Sequence, residues 1–590
     1  VIRIRLRIDT LIFIGIVALA AVLRLGDLGR LPLDGSEATL SLEAAKSTLQ
    51  ASPFWEGRSA EQVVSPLYHV STALIFSFVS VTDAAARFLP ALSGIGLVCL
   101  PYLLLRRKLG ALQSVLMTAF LGLSPILITL SRTADGVSFA LLGFGVGIGL
   151  LWRDDLSEGE SLAIGAAFGV GLALTAGPTA LDGFLTLTVG CLILVLLRFK
   201  SLSDILEYLR ARWSRMHSLV AVGTALVLAG GMGFSMANLS ALGEALAVWI
   251  GGWRQSSAIH PFTSLLMLTV YAPMTVVFGT IGGIQAIRKK DLAGVLALAW
   301  ALGGLLLLML YPDRSGRHFV WIVLPMVFLT SSVAADLIDR LTAQKNTLEF
   351  FAVCVALLVM FTFAYLQFAA YAAGVGPVID PLNARIRLFM GGGILLITAL
   401  VVVLFGLGWS WKLAFNALGI SGGVVLLALS VMAIWRMNFS ASAIGAVELW
   451  RPSAPTQNLR ILVRTLENLS QTHTGREDAL PVRVVGTAPA ELAWALRQFP
   501  SVDSELRVDQ ESAPAYVFND SGDPPMLASD YTGQGFKIIE AWSWRSALPP
   551  NPVRWWVRRT LPTTGEQWVL LVRLDIATLG ESQTDEVGAP

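Results

Sequence analysis

Residues Thr10–Ala38 read TLIFIGIVALAAVLRLGDLGRLPLDGSEA. The first part, Thr10 to Leu25, is apolar but for Thr10 and Arg24. The remainder is a polar loop ending on two carboxylates, Asp34 and Glu37. Preceded by Arg3, Arg5 and Arg7, the apolar run is predicted to be a membrane helix with its basic end in the cytosol. No small-residue cleavage site follows, so the helix is expected to persist as a first span and not to be removed as an export signal. The acidic loop then emerges on the outer side.

The rest of the chain repeats this alternation. Of 590 residues, 55% are hydrophobic and 14% charged, and the mean hydropathy is +0.67. A soluble chain carries roughly 25% charged residues, so the apolar excess needs a bilayer as solvent. Spans are predicted to start near Thr10, Arg87, Ala111, Gly136, Leu162, Ala180, Ser218, Phe262, Leu292, Phe319, Leu348, Leu388 and Lys412, thirteen in all. Pro66–Val81 is short and is read as an interfacial or re-entrant helix. Keeping it from crossing places Arg106-Arg107-Lys108, Arg153, the basic stretch from Arg198 to Arg215, Arg288-Lys289-Lys290, Arg340 and Lys345 all inside, as the distribution of Lys and Arg in membrane proteins requires.

This predicts a helical polytopic membrane domain over 1–437, with a first outer loop at 26–87 holding interfacial helices. An extracytoplasmic α/β domain over 438–590 follows, because the chain turns polar after Trp435. Within it, Val482–Val485, Ala515–Phe518, Phe536–Ile539 and Trp568–Val572 read as strands, and Asn458–Leu469 and Ala490–Gln498 as helices. The N-terminus is expected in the cytoplasm and the C-terminus outside a plasma membrane. A net charge of +2 gives no field for nucleic acid. Cys99, Cys191 and Cys354 lie in apolar runs, which argues against disulfides and zinc sites.

The outer loops carry the polar chemistry. Asp34 and Glu37 have the spacing of an N-cap and its reciprocal partner; they also suit a carboxylate pair with one general base. Arg87, Arg132 and Arg317, together with Asp135 and His318, fall at outer span ends. Guanidinium groups there either snorkel to headgroups or clamp a phosphate. Trp542, Trp544 and Trp555 either stack on an acceptor sugar or pack into the domain core.

Ser65-Pro66-Leu67-Tyr68, Ala86-Arg87-Phe88-Leu89-Pro90, Ser124-Pro125 with Ser131-Arg132 and Asp135, and Gly316-Arg317-His318 with Leu324-Pro325 together resemble the GT-C superfamily of membrane glycosyltransferases. That superfamily includes protein O-mannosyltransferases, the lipid A aminoarabinose transferase and the oligosaccharyltransferase catalytic subunit. The tail segments Ala493–Pro500, Asp530–Gly533, Trp542-Ser543-Trp544 and Trp555-Trp556 resemble a bacterial and archaeal flippase-activity-associated, mannosyltransferase-like group. The resemblance implies a GT-C fold and a polyprenyl-phosphate-linked sugar donor. It implies a glycan, lipid or protein acceptor, with Asp34 or Glu37 as catalytic base. Arg87, Arg132, Asp135, Arg317 and His318 would bind lipid phosphate or sugar. Some members of the superfamily bind a divalent cation, Mg or Mn, near the acidic loop, and Asp34, Glu37 and Asp135 offer oxygen ligands of that type; the resemblance itself assigns no metal site. The family pattern is an adjacent Asp-Glu pair, and here Ser36 precedes Glu37. That departure keeps a second reading open: a catalytically degenerate GT-C scaffold within an envelope complex. A transporter is a third reading, against which Asp182 falls near the outer end of a span and Glu244 in an outer loop, away from the mid-membrane positions that transporters use.

Overall fold

The computed structural model describes residues 8–48, 64–153, 159–231, 236–255, 259–342, 347–374, 381–440, 443–502, 513–520, 527, 529–544 and 549–577. Arg3, Arg5, Arg7 and Lys345 lie outside them. The chain opens with α1 (Ile8–Leu25), α2 (Gly35–Lys46), α3 (Pro66–Phe78) and α4 (Asp83–Leu100). A π turn at Pro101–Leu105 carries α4 into α5 (Arg106–Leu109). Next come α6 (Ala111–Gly122), α7 (Pro125–Ser131), α8 (Val137–Leu151), α9 (Gly159–Leu174) and α10 (Pro178–Leu196). After α11 (Leu202–Arg212) and α12 (Arg215–Ala229) stand α13 (Ser240–Gly252), α14 (Pro261–Tyr271), α15 (Pro273–Lys289) and α16 (Leu292–Leu310). The bundle ends with α17 (Val320–Thr342), α18 (Thr347–Gly374), α19 (Pro381–Phe405) and α20 (Trp411–Asn438).

Seven of these runs are long and apolar enough to cross a membrane, or up to nine if each bent pair is one span. The bent pairs are α6 with α7, turned by 58°, and α14 with α15, turned by 97°. Each break holds a proline, Pro125 or Pro273, at the first position of the second helix, where its fixed φ starts a helix and its missing N–H ends the previous one. α8, α9 and α12 are shorter apolar helices. The run Leu382–Asn438 spans 57 residues, and Ser410 interrupts it with an extended backbone (φ −165°, ψ 124°). Thirteen crossings therefore require those three short helices to cross and that run to count twice. α3 has 13 residues, about 20 Å of helix, and falls short of a bilayer core.

Two arginines tie the first spans together. Arg24 of α1, 1% exposed, donates from Nη2 to Leu121 O (3.0 Å) and from Nη1 to Gly122 O (3.1 Å). Those carbonyls end α6 and lack intrahelical partners. Arg132, at the end of α7, returns the arrangement. It donates to Leu23 O (3.0 Å), Arg24 O (3.2 Å), Gly26 O (2.7 Å) and Asp27 O (3.1 Å) at the end of α1. α1 thus lends a cation to the end of α6 and takes one from the end of α7, which also suits the negative ends of the helix dipoles.

The C-terminal part is a six-stranded mixed sheet with helices α21 (Gln457–Thr474), α22 (Ala490–Ala495) and α23 (Pro552–Arg558). Its strands are β1 (Ser453–Pro455), β2 (Val482–Val485), β3 (Ser501–Val502), β4 (Ala515–Asn519), β5 (Tyr531–Ala541) and β6 (Thr564–Arg573), in the order β1-β5-β6-β4-β2-β3. β2 runs parallel to β3 and β4; the other pairs are antiparallel. All four predicted strands are present. The predicted helix at Ala490–Gln498 stops as a regular helix at Ala495.

This sheet domain sits on the loop that follows α1 and on the start of α4. Arg451 Nη2 donates to Pro32 O (2.7 Å) and Arg460 Nη2 to Gly29 O (2.6 Å). Trp494 Nε1 donates to Asp83 Oδ1 (2.6 Å), and Arg497 Nη2 to Val81 O (2.6 Å). The Tyr271 hydroxyl at the α14–α15 break bonds Glu448, just ahead of β1. From there α15 runs 17 residues to Arg288 and Lys289, about 25 Å away. Arg288 and Lys289 therefore lie a helix length away from the Tyr271–Glu448 contact.

Candidate active site

Asp34 caps α2. Its backbone is extended (φ −75°, ψ 173°), its Oδ1 accepts Glu37 N at 3.0 Å, and Glu37 Oε2 accepts Asp34 N at 3.1 Å. Both halves of the capping box read from the spacing are present. Around that box the two carboxylates part company.

Glu37 is 2% exposed and saturated. Oε1 accepts from Arg87 Nε (2.8 Å) and Ala134 N (2.8 Å); Oε2 accepts from Arg87 Nη2 (2.5 Å) as well as from Asp34 N. Four acceptor positions meet four donors. Burial pushes the Glu37 carboxyl up, but the Arg87 guanidinium against it holds it below its ordinary value. Such a group is a poor base. Arg87 is equally spent: its other N–H groups go to Leu28 O (3.0 Å), Leu31 O (2.5 Å) and Pro32 O (3.2 Å). Five donors meet protein acceptors, so the expectation that Arg87 binds a lipid phosphate gives way to a structural clamp. Arg132, committed to the end of α1 and lying over the Phe439 ring at 4.7 Å, is reassigned for the same reason.

Asp34 keeps capacity. Oδ1 accepts from Glu37 N and from Ser36 Oγ at 2.8 Å, while Oδ2 has no hydrogen bond among the described residues. Burial raises its pKa, the nearby Glu37 charge adds to that, and Arg451 opposes it. Arg317, on the 3₁₀ turn Gly316–Phe319, reaches the same point. Its Nη2 donates to Ser36 Oγ (2.8 Å), and its Nε lies 3.4 Å from Asp135 Oδ2. Ser36 therefore relays Arg317 to Asp34, accepting from one and donating to the other. The Arg317 side chain is 32% exposed, unlike Arg87 and Arg132. Asp135 sits between α7 and α8 with Oδ1 on Val137 N (3.0 Å); burial pushes it up to about 6, against the pull of Arg317.

Beside these groups is a cavity of about 40 Å³ lined by Asp34, Glu37, Arg87, Arg132, Glu448 and Arg451, among others. Arg451 is 8% exposed and its Nε has no partner among the described residues.

Other predicted residues lie elsewhere. His318 is adjacent to Arg317 but turns to Asp182, with Nε2 at 3.4 Å from Oδ2, while its Nδ1 accepts Ser315 N at 3.0 Å. Asp182 also accepts Trp249 Nε1 at 2.8 Å. This is an internal polar knot, separate from Asp34. Trp544 and Trp555 are each 1% exposed and meet edge to face at 5.7 Å. Their faces are core, and Trp542 is packed against that core, so of the two readings of these tryptophans their burial supports the packing one. Among the described residues no group of three or more His, Cys, Asp or Glu is placed to hold a metal ion. With Glu37 saturated by Arg87 and Asp135 against Arg317, the donor set does not fit a divalent cation.

Sequence reasoning missed Arg451, Glu448 and Glu491, the last lying against the first turn of α2. They reach the first loop from more than 400 positions away, and no local spacing signals such a contact.

Two solved structures share the fold at TM-scores just above 0.5. ArnT from Cupriavidus metallidurans in the apo state superposes with a TM-score of 0.52 at 15% identity, covering 86% of this chain and 92% of that one. ArnT from the same organism bound to undecaprenyl phosphate gives 0.52 at 14% identity, covering 95% and 98%. The Archaeoglobus fulgidus oligosaccharyltransferase tethered with an acceptor peptide gives 0.44 at 11% identity, over 84% and 63%. No family model and no curated protein matches the sequence. The chain has a GT-C-like fold: a multi-pass helical bundle carrying a C-terminal sheet domain.

Proposed function

We propose that this GT-C-fold chain transfers a sugar from a polyprenyl-phosphate donor to an acceptor hydroxyl at the outer membrane surface, with Asp34 as the general base. The observation that carries this reading is the asymmetry of the two carboxylates. Glu37 is consumed by Arg87, and Asp34 alone keeps an oxygen for a proton. The likeness to ArnT, whose structure was also determined with undecaprenyl phosphate, supports a lipid-linked donor.

The chemistry then balances simply. The acceptor O–H gives its proton to Asp34 Oδ2 as its oxygen attacks the anomeric carbon. The bond from that carbon to the phosphate oxygen breaks, and its electron pair leaves with the polyprenyl phosphate. Burial that raises the Asp34 pKa makes it a stronger base. Arg317, partly exposed beside it, is the cation available to the phosphate as charge builds. Its link through Ser36 holds the two groups in register.

Arg317→Gln is expected to lower kcat/KM by about 10²-fold, with Arg317→Lys restoring part of it. Turnover of polyprenyl-phosphate hexoses by purified protein in nanodiscs measures this. Equal rates for Arg317→Gln and wild type would remove Arg317 from the site. Ser36 at the family's Asp position favours the second reading, a GT-C scaffold without catalysis. Failure of the wild type to transfer from any donor in a broad panel would select it.

A further inference from the structure

Glu491, the second residue of α22, lies directly against Gly35, the first residue of α2. A Cβ on Gly35 would stand 2.9 Å from Glu491 Oε1 and 3.4 Å from Oε2. The backbone of Gly35 is not left-handed, so the missing side chain serves close approach and not conformation. Asp34 is the preceding residue, and both carboxylates are buried, at 7% and 5% exposure. Arg451, with its unpartnered Nε, shares the small cavity with Asp34 and bears electrostatically on both carboxylates. The charged groups facing Asp34 are Glu37, Arg451 and Arg317; those facing Glu491 are Asp34, Glu566 of β6 and Arg451.

We propose that Glu491 is a positioning residue of the active site: it pairs with Asp34 across Gly35, the two hold one proton between them, and the C-terminal domain thereby completes the catalytic centre. This rests on the reading of Asp34 as base. Two carboxylates buried in one place do not both ionise easily. Burial raises both pKa values, and the Asp34 charge raises that of Glu491 further. Their titration belongs to the pair. The shared proton leaves Asp34 ionised whenever Glu491 carries it, in a setting that keeps Asp34 strongly basic. Undocking the sheet domain would withdraw Glu491 and return Asp34 to a weaker base.

The test compares wild type with Glu491→Gln and Gly35→Ala, full-length and in nanodiscs. Gly35→Ala suits the helix, since alanine is the better helix former. It displaces only the flexible end of Glu491, so it separates the pair without emptying the interface. Infrared difference spectra at about pH 7 should show one protonated carboxyl band in wild type that both variants lose. Where sugar transfer is measurable, the acid limb of kcat/KM should move about one pH unit toward acid in both variants, with KM little changed. Identical carboxyl bands in all three proteins would overturn the pairing, as would an unshifted acid limb in an active enzyme. The infrared result does not need turnover. A wild type that keeps the band but transfers no sugar would refute the base assignment and leave the pair standing.

Discussion

Asp34→Asn is expected to fold like the wild type and to transfer sugar about 10²–10⁴-fold more slowly. The substitution is nearly isosteric and asparagine is as good an N-cap as aspartate. The side-chain carbonyl still accepts Glu37 N and Ser36 Oγ, so the capping box and the relay to Arg317 keep their geometry. What disappears is the anionic oxygen that takes the proton. Stability should hold or rise at neutral pH, and the sign follows from the pKa. Asp34 is raised above its ordinary 3.8, so the folded chain binds this proton more tightly than the unfolded one. Its contribution to stability therefore falls as pH climbs from about 4 through the folded-state value. Asparagine removes that penalty. Matched melting curves with lost turnover are the expected pair of results; wild-type turnover by Asp34→Asn would end the assignment of Asp34 as base.

Arg87→Ala is expected to cost about 3–5 kcal/mol, the range for breaking a buried ion pair by removing one partner. The loss is large because five bonds go at once. Glu37 is left as a buried anion short of two donors, and three carbonyls of the Leu28–Pro32 turn lose theirs. That turn also carries the docking carbonyl for Arg451, so the seat of the sheet domain loosens too. Glu37→Gln should cost less, since an amide keeps one acceptor for Arg87 and one for Ala134 N or Asp34 N. Denaturant unfolding followed by tryptophan fluorescence measures both. A loss below about 1 kcal/mol for Arg87→Ala would mean that the clamp is not what holds the loop.

Local chemistry made part of this site legible from sequence. Asp34 and Glu37 sit at a spacing that specifies reciprocal capping, and the structure realises it. Arg87, Arg132 and Arg317 were all recognisable as cations at span ends. Their division of labour was not, because it depends on which acceptors the folded chain brings to each guanidinium. Glu37 takes Arg87 from 50 positions away, and four carbonyls near the end of α1 take Arg132 from more than 100. The sheet strands showed their alternation, since one face of each must be dry. The tryptophans of the tail did not reveal their burial, because an indole that stacks on sugar and one that fills a core look alike in sequence. Span counting ran out for a related reason: hydropathy marks apolar segments, and the short helices α8, α9 and α12 are apolar without being long.

The closure of the α6 end by Arg24 has a consequence for how the protein is made. Arg24 is buried within the first span, and the carbonyl that accepts its Nη2 lies 97 residues further along. During synthesis the ribosome delivers the cation long before its acceptors exist. Until Leu121 and Gly122 emerge, the guanidinium has, besides a long bond to Ala20 O (3.5 Å) in its own helix, water or lipid headgroups to satisfy it. The first span is therefore expected to settle late, and nascent chains cut at residue 108 should hold it less firmly against extraction than chains cut at residue 135.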